Sequence, residues 1–264
     1  MKYIHTFVAL AYKENNKLEE CIKSVLNQKY KSNVVIATST PNDYIEKTAK
    51  KYNLKVYVNP EQGKGIGCDF DFASNCVESE LITIAHQDDV YDYDYSYEVV
   101  KAYEKYKDSS IIFTDYYEIR DENKVYSNKN LRIKRALLFP LRWRFLGKFK
   151  FFRRWVLRFG TAISCPAVTF VQANVPKEKF SREMKCNVDW YAWEKLSKLN
   201  ERFIFINKKL MGHSVDKSTT TTQIIHEGIR TKEDLEMLEK FWPNKIAKFI
   251  NKFYVKSEES NETK

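Results

Sequence analysis

Short apolar runs alternate with amphipathic segments along the first 120 residues of the chain. The apolar runs predict buried β-strands at residues 3–12, 33–38, 54–59, 80–85 and 109–119. Helical periodicity lies between them at residues 15–28, 44–52, 63–77 and 95–107, and the first segment places Leu18, Cys21, Ile22, Val25 and Leu26 on one face. Because strand and helix alternate, the sequence predicts an α/β fold, a Rossmann-like mixed but mainly parallel sheet flanked by helices.

The second half of the chain is less regular. We expect a helix at residues 187–199, a strand at 202–213, and C-terminal helices between 231 and 253 that separate near Pro243. The chain thus divides into residues 1–120, 121–225 and 226–255, followed by a disordered tail at 256–264.

Positive charge is concentrated in one segment. The net charge is +10, and residues 123–177 contain thirteen Lys or Arg and no Asp or Glu. Outside this segment the chain has 32 basic and 35 acidic residues, so the segment accounts for the positive net charge. Within about 131–160, basic residues interleave with large apolar ones at near-helical spacing: Leu138, Leu141, Phe145, Phe149, Phe152, Val156 and Phe159. This pattern fits a helix in an anionic membrane interface, a surface helix pair whose aromatic side chains complete the core, or a single-stranded nucleic-acid site.

The cysteines indicate a reduced, intracellular protein. The five are odd in number and scattered, at positions 21, 68, 76, 165 and 186, without the spacing of a zinc site or a disulfide framework. No secretory leader is evident, and the longest uncharged run is interrupted by Gly160, Pro166, Gln172 and Asn174. We therefore expect a cytoplasmic chain with free thiols and no bilayer-spanning segment.

One strand end carries a cluster of polar groups. The predicted strand at residues 80–85 runs directly into His86, Gln87, Asp88 and Asp89. Ligands of parallel α/β sheets bind beyond the carboxyl ends of the strands. Two adjacent carboxylates repel each other unless a cation lies between them, so the pair indicates a cation site. The alternative is that these aspartates cap the helix that follows.

Together with this strand end, four other motifs resemble those of the inverting family-2 nucleotide-sugar glycosyltransferases. They are "ECIKSVLNQKY", "GIGCDFDFA", "VDW" before a helix and a late "GH", spread with "HQDD" over residues 4–220. The resemblance implies the A-type glycosyltransferase fold with C-terminal helices. In that fold residues 1–120 would form the nucleotide-sugar-binding half and residues 121–225 the acceptor-binding half.

The resemblance also implies a divalent metal site at "HQDD". Asp88 takes the last position of the family's aspartate-any-aspartate motif and is the first candidate ligand for Mn²⁺ or Mg²⁺, with Asp89 beside it. His86 stands where the first aspartate is expected, so we expect His86 and Gln87 to contact the donor ribose or phosphate. His213 of "GH" matches a histidine that completes the metal or diphosphate site in many relatives, although a lone histidine is also common on polar surfaces.

Asp189 is the expected catalytic base. Inversion needs one base that takes a proton from the acceptor hydroxyl as its oxygen attacks the anomeric carbon. In the family this base is an aspartate at a helix start, and "NVDWYAWEKL" matches there with Asp189, preceded by Val188 in place of the usual glutamate. The alternative is an ordinary helix cap. Trp190 and Trp193 are expected to pack a sugar face or the core.

The donor nucleotide is expected beside the first two strand ends and the glycine-bearing motif. The expected contacts are Ala11, Tyr12 and Glu14 after the first strand, Thr38 and Ser39 after the second, and Gly65, Gly67 and Asp69 in the motif. Glycine would let backbone amides approach the donor. Thr38 and Ser39 stand where the family has an aspartate, and Asp69 where it often has arginine. Lys217, Ser218 and Thr219 are placed to hold phosphate oxygens.

These features predict a metal-dependent, inverting glycosyltransferase of the hexosyltransferase type. We expect it to move a sugar from a nucleoside-diphosphate donor, a UDP-sugar favoured, to a hydroxyl of a bacterial surface-glycan precursor, lipid-linked, in capsule or cell-envelope polysaccharide biosynthesis. The expected location is cytoplasmic and peripheral at the inner face of the plasma membrane, with an anionic membrane surface and not nucleic acid as partner. The competing prediction is a nucleic-acid- or anionic-lipid-binding protein without catalysis, which leaves the "HQDD" carboxylates unexplained because they would repel phosphate without a metal.

Overall fold

A computed structural model describes residues 3–215 and 228–252 of the chain. Its strands are β1 (His5–Ala11), β2 (Asn33–Thr38), β3 (Lys55–Val58), β4 (Leu81–His86), β5 (Val90–Tyr91), β6 (Ser109–Arg120), β7 (Asn123–Val125), β8 (Val168–Val171) and β9 (Arg202–Ser214). Its helices are α1 (Leu18–Leu26), α2 (Asp43–Tyr52), α3 (Ile66–Asn75), α4 (Tyr95–Lys105), α5 (Lys129–Leu137), α6 (Lys150–Trp155), α7 (Val188–Ser197) and α8 (Ile229–Glu239), and residues 244–252 are also helical.

The strands form one mixed sheet in the order β3-β2-β1-β4-β8-β6-β9-β5, with β7 paired to β6. The first four strands in this order are parallel, so their carboxyl ends lie along the same edge. β8 runs antiparallel to its neighbours β4 and β6, and β9 lies parallel to β6. The predicted fold class, a mixed α/β sheet flanked by helices, is confirmed.

Apolar side chains pack on both faces of this sheet. Successive residues of β6 point to opposite faces, as strand geometry requires: Ile112 packs with α4, whereas Phe113 packs with Trp193 of α7. Leu26, predicted on the buried face of α1, is 37% exposed because the helix ends at that residue. The five cysteines are free thiols, as predicted. Within the described ranges, no helix is both long and apolar enough to cross a bilayer.

The basic aromatic segment does not form the continuous helix that its spacing indicates. Two short 3-10 turns, Phe139–Arg142 and Leu146–Lys148, separate α5 from α6. A Cβ on Gly147 would lie 1.9 Å from the Phe203 carbonyl oxygen, so this glycine lets the segment pack directly on β9. The predicted apolar face is divided accordingly: Leu138, Leu141 and Val156 are buried, while Phe145, Phe149 and Phe159 are exposed.

A buried ion pair joins α3 to the segment before α7. Asp71 of α3 accepts hydrogen bonds from the backbone N–H groups of Lys179 and Phe180, at 2.9 and 3.3 Å, and the Lys179 Nζ lies 3.8 Å from the same oxygen. The Lys179 side chain also donates to Ser74 at 2.7 Å. Burial lowers the pKa of Lys179 to about 8, although the negative charge of Asp71 acts to raise it.

Replacing Lys179 with methionine should destabilise the fold by about 3–5 kcal/mol, because the buried Asp71 carboxylate loses its cation. Urea unfolding monitored by circular dichroism measures the difference. The double variant Asp71→Asn with Lys179→Met is the control, since the amide keeps an acceptor for the two backbone N–H groups without leaving an unpaired charge. Equal stability of the single variant and the wild type would show that the pair does not stabilise the packing of α3 on the segment before α7.

Candidate active site

Three neighbouring strand ends form the floor of the candidate site. Ala11 at the end of β1 pairs with Thr38 of β2, and the adjacent Leu10 pairs with His86 of β4. Ala11 and Thr38 are 1% and 0% exposed, so the structure makes both part of the floor and not side chains open to a nucleotide. Tyr12 is 48% exposed. Glu14 is exposed as well, so these two predicted contacts remain accessible.

Gln87 fixes the backbone of Tyr12. Its Oε1 accepts from the Tyr12 N–H at 2.9 Å, and its Nε2 donates to the Tyr12 carbonyl at 3.1 Å. The amide thereby ties the end of β1 to the turn after β4. Gln87 was expected to contact the donor, but the structure uses its amide to position Tyr12 because a primary amide matches one backbone N–H and one carbonyl.

The carboxylate of Asp69 lies beside the end of β2, held there by two polar side chains. Its Oδ2 accepts from the Ser39 hydroxyl at 2.9 Å and its Oδ1 from the Asn59 amide at 2.8 Å. Ser39 and Asn59 are 6% and 2% exposed. The resemblance predicts an aspartate where Thr38 and Ser39 stand at the end of β2. The carboxylate of Asp69, from α3, reaches this place instead. Asn59 was missed, since nothing in its local sequence pairs it with Asp69.

The two predicted glycines have different surroundings. Gly65 is the N-cap residue of α3 with a φ of 94°, a conformation that favours glycine, and no atom lies within 4 Å of the position its Cβ would take. A Cβ on Gly67 would lie 1.9 Å from the Ser181 carbonyl oxygen. The structure thus corrects the role of Gly67, which allows close packing against the segment before α7, whereas Gly65 remains open to a ligand.

Asp89 joins the end of β4 to the end of β9. Its side chain is 0% exposed, and its Oδ1 accepts from the backbone N–H of Ser214 at 2.8 Å and lies 3.0 Å from Nδ1 of His213. Burial alone would raise the pKa of Asp89, but His213 and the Ser214 N–H lower it below its usual value. Burial likewise disfavours a charged His213, yet Asp89 and Asp88 raise the pKa of its imidazole. His213 is therefore a strand residue with a defined partner and not an isolated surface histidine.

Asp88 and His86 flank this pair in different environments. Asp88 lies in the turn between β4 and β5 with a partly exposed side chain, and its carbonyl accepts from the Ser214 hydroxyl at 2.5 Å. Burial and the charge of Asp89 raise the pKa of the Asp88 carboxyl. His86 stacks on Phe70 with ring centroids 5.2 Å apart, and its Nδ1 lies 3.8 Å from Oδ2 of Asp89. Burial lowers the pKa of His86, so the site holds a neutral ring next to two carboxylates.

The donor atoms fit a divalent cation that substrate helps to hold. Among the described residues, none forms a hydrogen bond with the buried Oδ2 of Asp89, and Asp88 offers a second carboxylate, the ligand type that Mn²⁺ and Mg²⁺ prefer. Among residues 3–215 and 228–252, no group of three or more His, Cys, Asp or Glu side chains is placed to hold a metal alone. Asp88, Asp89 and His213 are therefore not a preformed cage, because His213 directs Nδ1 at Asp89.

Asp189 lies in the first turn of α7, as predicted. Asn187 is the N-cap residue of this helix, and the Asp189 carboxylate accepts from the N–H of the next residue, Trp190, at 2.7 Å. Asp189 is thus not the cap of the helix. Burial raises the pKa of its carboxyl, and the Trp190 N–H and the charges of Lys134 and Arg230 oppose that effect. A raised pKa favours proton acceptance near neutral pH.

Neither strand-end aspartate caps the helix that follows. Asp94 is the N-cap residue of α4, while Asp89 bonds to β9. Trp190 and Trp193 are 1% and 0% exposed. They belong to the core, so a sugar face does not pack on them. Lys217, Ser218 and Thr219, expected to hold phosphate oxygens, lie outside the described residues.

Lys134 and Cys165 lie near both the strand-end aspartates and Asp189, a placement that the sequence did not indicate. Lys134 of α5 donates to the Tyr116 hydroxyl at 2.8 Å, and the Tyr116 ring meets the His213 ring edge-on at 6.0 Å. Burial raises the pKa of the Cys165 thiol, and the charges of Asp189 and Asp89 raise it further. The predicted metal site and the predicted base therefore share these two neighbours.

Comparison with known proteins agrees with this geometry. Residues 6–173 match the family model described as Glycosyl transferase family 2. The fold is similar to that of TarS 1-349 from S. aureus in complex with UDP-GlcNAc, with a TM-score of 0.61 and 14% identity over 95% of this chain and 70% of that chain. It is also similar to the mannosyltransferase PcManGT from Pyrobaculum calidifontis in complex with GDP-Man and Mn²⁺, with a TM-score of 0.61 and 15% identity over 91% of this chain and 64% of that chain.

A longer TarS structure from S. aureus has a TM-score of 0.58 and 16% identity, and the match covers 95% of this chain and 42% of that chain. No curated protein sequence matches the chain. At identities of 14–16%, these structural likenesses show the fold.

Proposed function

The chain belongs to glycosyl transferase family 2, and from this membership and the site geometry we propose that it transfers a sugar from a nucleoside-diphosphate donor to an acceptor hydroxyl with metal assistance. The observation that supports the proposal is that Asp88 and Asp89 at one strand end and Asp189 in the first turn of α7 share the neighbours Lys134 and Cys165. A binding protein without catalysis would not need a buried carboxylate with a raised pKa near a carboxylate pair.

In the proposed reaction, Asp189 takes the proton of the acceptor hydroxyl while that oxygen forms a bond to the anomeric carbon. The bond between the anomeric carbon and the diphosphate oxygen breaks, and the configuration inverts because attack and departure occur on opposite faces. A bound divalent cation would supply charge stabilisation for the leaving diphosphate. Asp88 would be its protein ligand, and Asp89, fixed by His213 and Ser214, would hold the strand end in place.

We propose a UDP-sugar as the favoured donor, on the likeness to the TarS fold solved with UDP-GlcNAc. Tyr12, Glu14 and the Asp69 carboxylate are the groups available for the nucleoside, with Gly65 beside the diphosphate. The proposed acceptor is a lipid-linked precursor of a bacterial surface glycan such as a capsule. The exposed aromatic and basic side chains of residues 139–159 support a peripheral location at the inner face of the plasma membrane.

The direct test is release of nucleoside diphosphate from a panel of UDP-, GDP-, CDP- and dTDP-sugars, with Mn²⁺ or with excess chelator. Slow donor hydrolysis serves as the readout, so the acceptor need not be known. We expect release from one nucleotide class, UDP first, that stops when the metal is chelated. Binding of single-stranded nucleic acid or anionic lipid, with no release from any donor, would favour the non-catalytic alternative.

A further inference from the structure

A basic cavity lies outside the site described above. It has a volume of about 420 Å³ and is lined by Asp115, Arg135, Arg142, Asn207 and Lys209. Its walls come from β6, the bulged part of β9, α5 and the 3-10 turn after it. None of the residues assigned to the donor, the metal or the base lines this cavity.

An irregular stretch of β9 shapes the cavity. The pairing of β6 with β9 shifts register between Thr114 and Asp115 and again between Asp115 and Tyr116, so that Asp115 pairs with Lys209. Extra residues in one strand of a pair bend it and redirect its side chains. Asn207 and Lys209 are exposed there, although their neighbours Ile206 and Leu210 are buried.

The charges of the lining residues leave the cavity cationic. Arg135 is fixed by Asp115 at 2.8 Å and by the carbonyls of Tyr126 and Tyr116, at 2.8 and 2.9 Å. The charges of Arg135 and Asp115 therefore cancel each other. Within the part of the chain that the structure describes, Arg142 and Lys209 form no ion pair, so two cations remain to meet an anion. An arginine and a lysine on different walls of one cavity suit a phosphate group, which accepts several charge-assisted hydrogen bonds.

Exposed aromatic side chains lie beside Arg142, whose guanidinium carbon is 5.4 Å from the centre of the Phe139 ring. Phe139 and Trp143, on either side of Arg142 in the sequence, are each 49% exposed and meet edge to face at 4.9 Å. Further along the same segment, Phe145 and Phe151 are 62% and 64% exposed. Large exposed aromatic patches mark interaction surfaces. A soluble phosphate would make no use of them, whereas in a bilayer aromatic rings enter the headgroup layer while cations contact lipid phosphates.

We propose that Arg142 and Lys209 bind the headgroup phosphate of an anionic phospholipid while the exposed aromatic side chains of the segment that carries Arg142 enter the bilayer surface. This inference rests on the proposed membrane location and gives it a specific binding site.

Vesicle flotation of the full chain tests the proposal. The vesicles are phosphatidylcholine alone or phosphatidylcholine mixed with phosphatidylglycerol. The cavity variant is Arg142→Glu with Lys209→Glu, and the matched control is Lys47→Glu with Lys50→Glu, which makes the same change of net charge on exposed residues of α2. We expect the wild type and the control to float with anionic vesicles only, and the cavity variant to lose about tenfold or more of its binding.

Two outcomes would overturn the proposal. One is equal flotation of the cavity and control variants, because general charge would then explain binding. The other is a thermal shift with inorganic phosphate or glycerol 3-phosphate that needs Arg142 and Lys209 while no flotation occurs, because the site would then serve a soluble phosphate. The cavity variant should keep its nucleoside-diphosphate release, so failure of this inference is distinguishable from failure of the proposed function. The double variant Phe145→Ser with Phe151→Ser should also weaken flotation without changing that release.

Discussion

Replacing Asp189 with asparagine should reduce sugar transfer by about 10²–10⁴-fold and leave donor affinity unchanged, as expected for loss of a general base. The amide is close in shape to the carboxylate and keeps an oxygen for the Trp190 N–H, which the carboxylate accepts at 2.7 Å. It cannot take a proton from the acceptor hydroxyl at neutral pH. The loss should therefore fall on turnover, measured with saturating donor once an acceptor is in hand, or on donor hydrolysis before that.

Asp43→Asn is the matched control, because Asp43 also lies in the first turn of a helix but is exposed on α2. It should retain wild-type turnover. Thermal unfolding and donor binding of the Asp189 variant must match the wild type for the comparison to hold. Full turnover in the Asp189 variant would remove this residue as the base.

Replacing Asp88 with alanine should lower metal-dependent donor affinity by about two orders of magnitude, since even groups that only orient a metal ligand contribute 10–100-fold. The Asp88 side chain is partly exposed, so its loss should leave stability nearly unchanged. Calorimetric titration of the donor nucleotide, with and without Mn²⁺, separates the two effects. Metal-free affinity should stay the same in wild type and variant.

Asp89→Ala provides the contrast. Its carboxylate is fully buried and accepts from Ser214 at 2.8 Å, so truncation leaves that N–H without a partner and should cost about 1–3 kcal/mol of stability. Asp43→Ala controls for loss of a surface charge. If Asp88→Ala binds donor and Mn²⁺ as the wild type does, Asp88 is not the metal ligand.

The local patterns of the sequence predicted the sheet and the strand-end site because both depend on short stretches of chain. The alternation of apolar strands with helices indicated that β1 to β4 run parallel to one another. The run from β4 into Asp88 and Asp89, and the start of α7 at Asp189, followed from the same periodicities and from the family resemblance. Each of these features lies within a few residues of the element that presents it.

The parts that could not be predicted depend on contacts between distant segments. Asn59 reaches Asp69, and Lys134 reaches Tyr116, but neither lysine nor asparagine carries a local signal of its partner. The 131–160 segment has a helical apolar spacing, yet Gly147 must pack on the Phe203 carbonyl of β9. That close approach breaks the helix into turns and leaves seven of its eight aromatic side chains exposed.

We expect this chain to bind a nucleoside diphosphate through a divalent cation at Asp88. Thermal unfolding in the presence of UDP, GDP, CDP or dTDP, each with and without Mn²⁺, measures this binding, because a ligand at about 100 times its Kd stabilises a protein by about 2.7 kcal/mol. The melting temperature should rise with one nucleotide, UDP first, only when Mn²⁺ is present, and should not rise in Asp88→Ala. If no nucleotide raises it, with or without the metal, the chain does not bind a nucleoside diphosphate in this way.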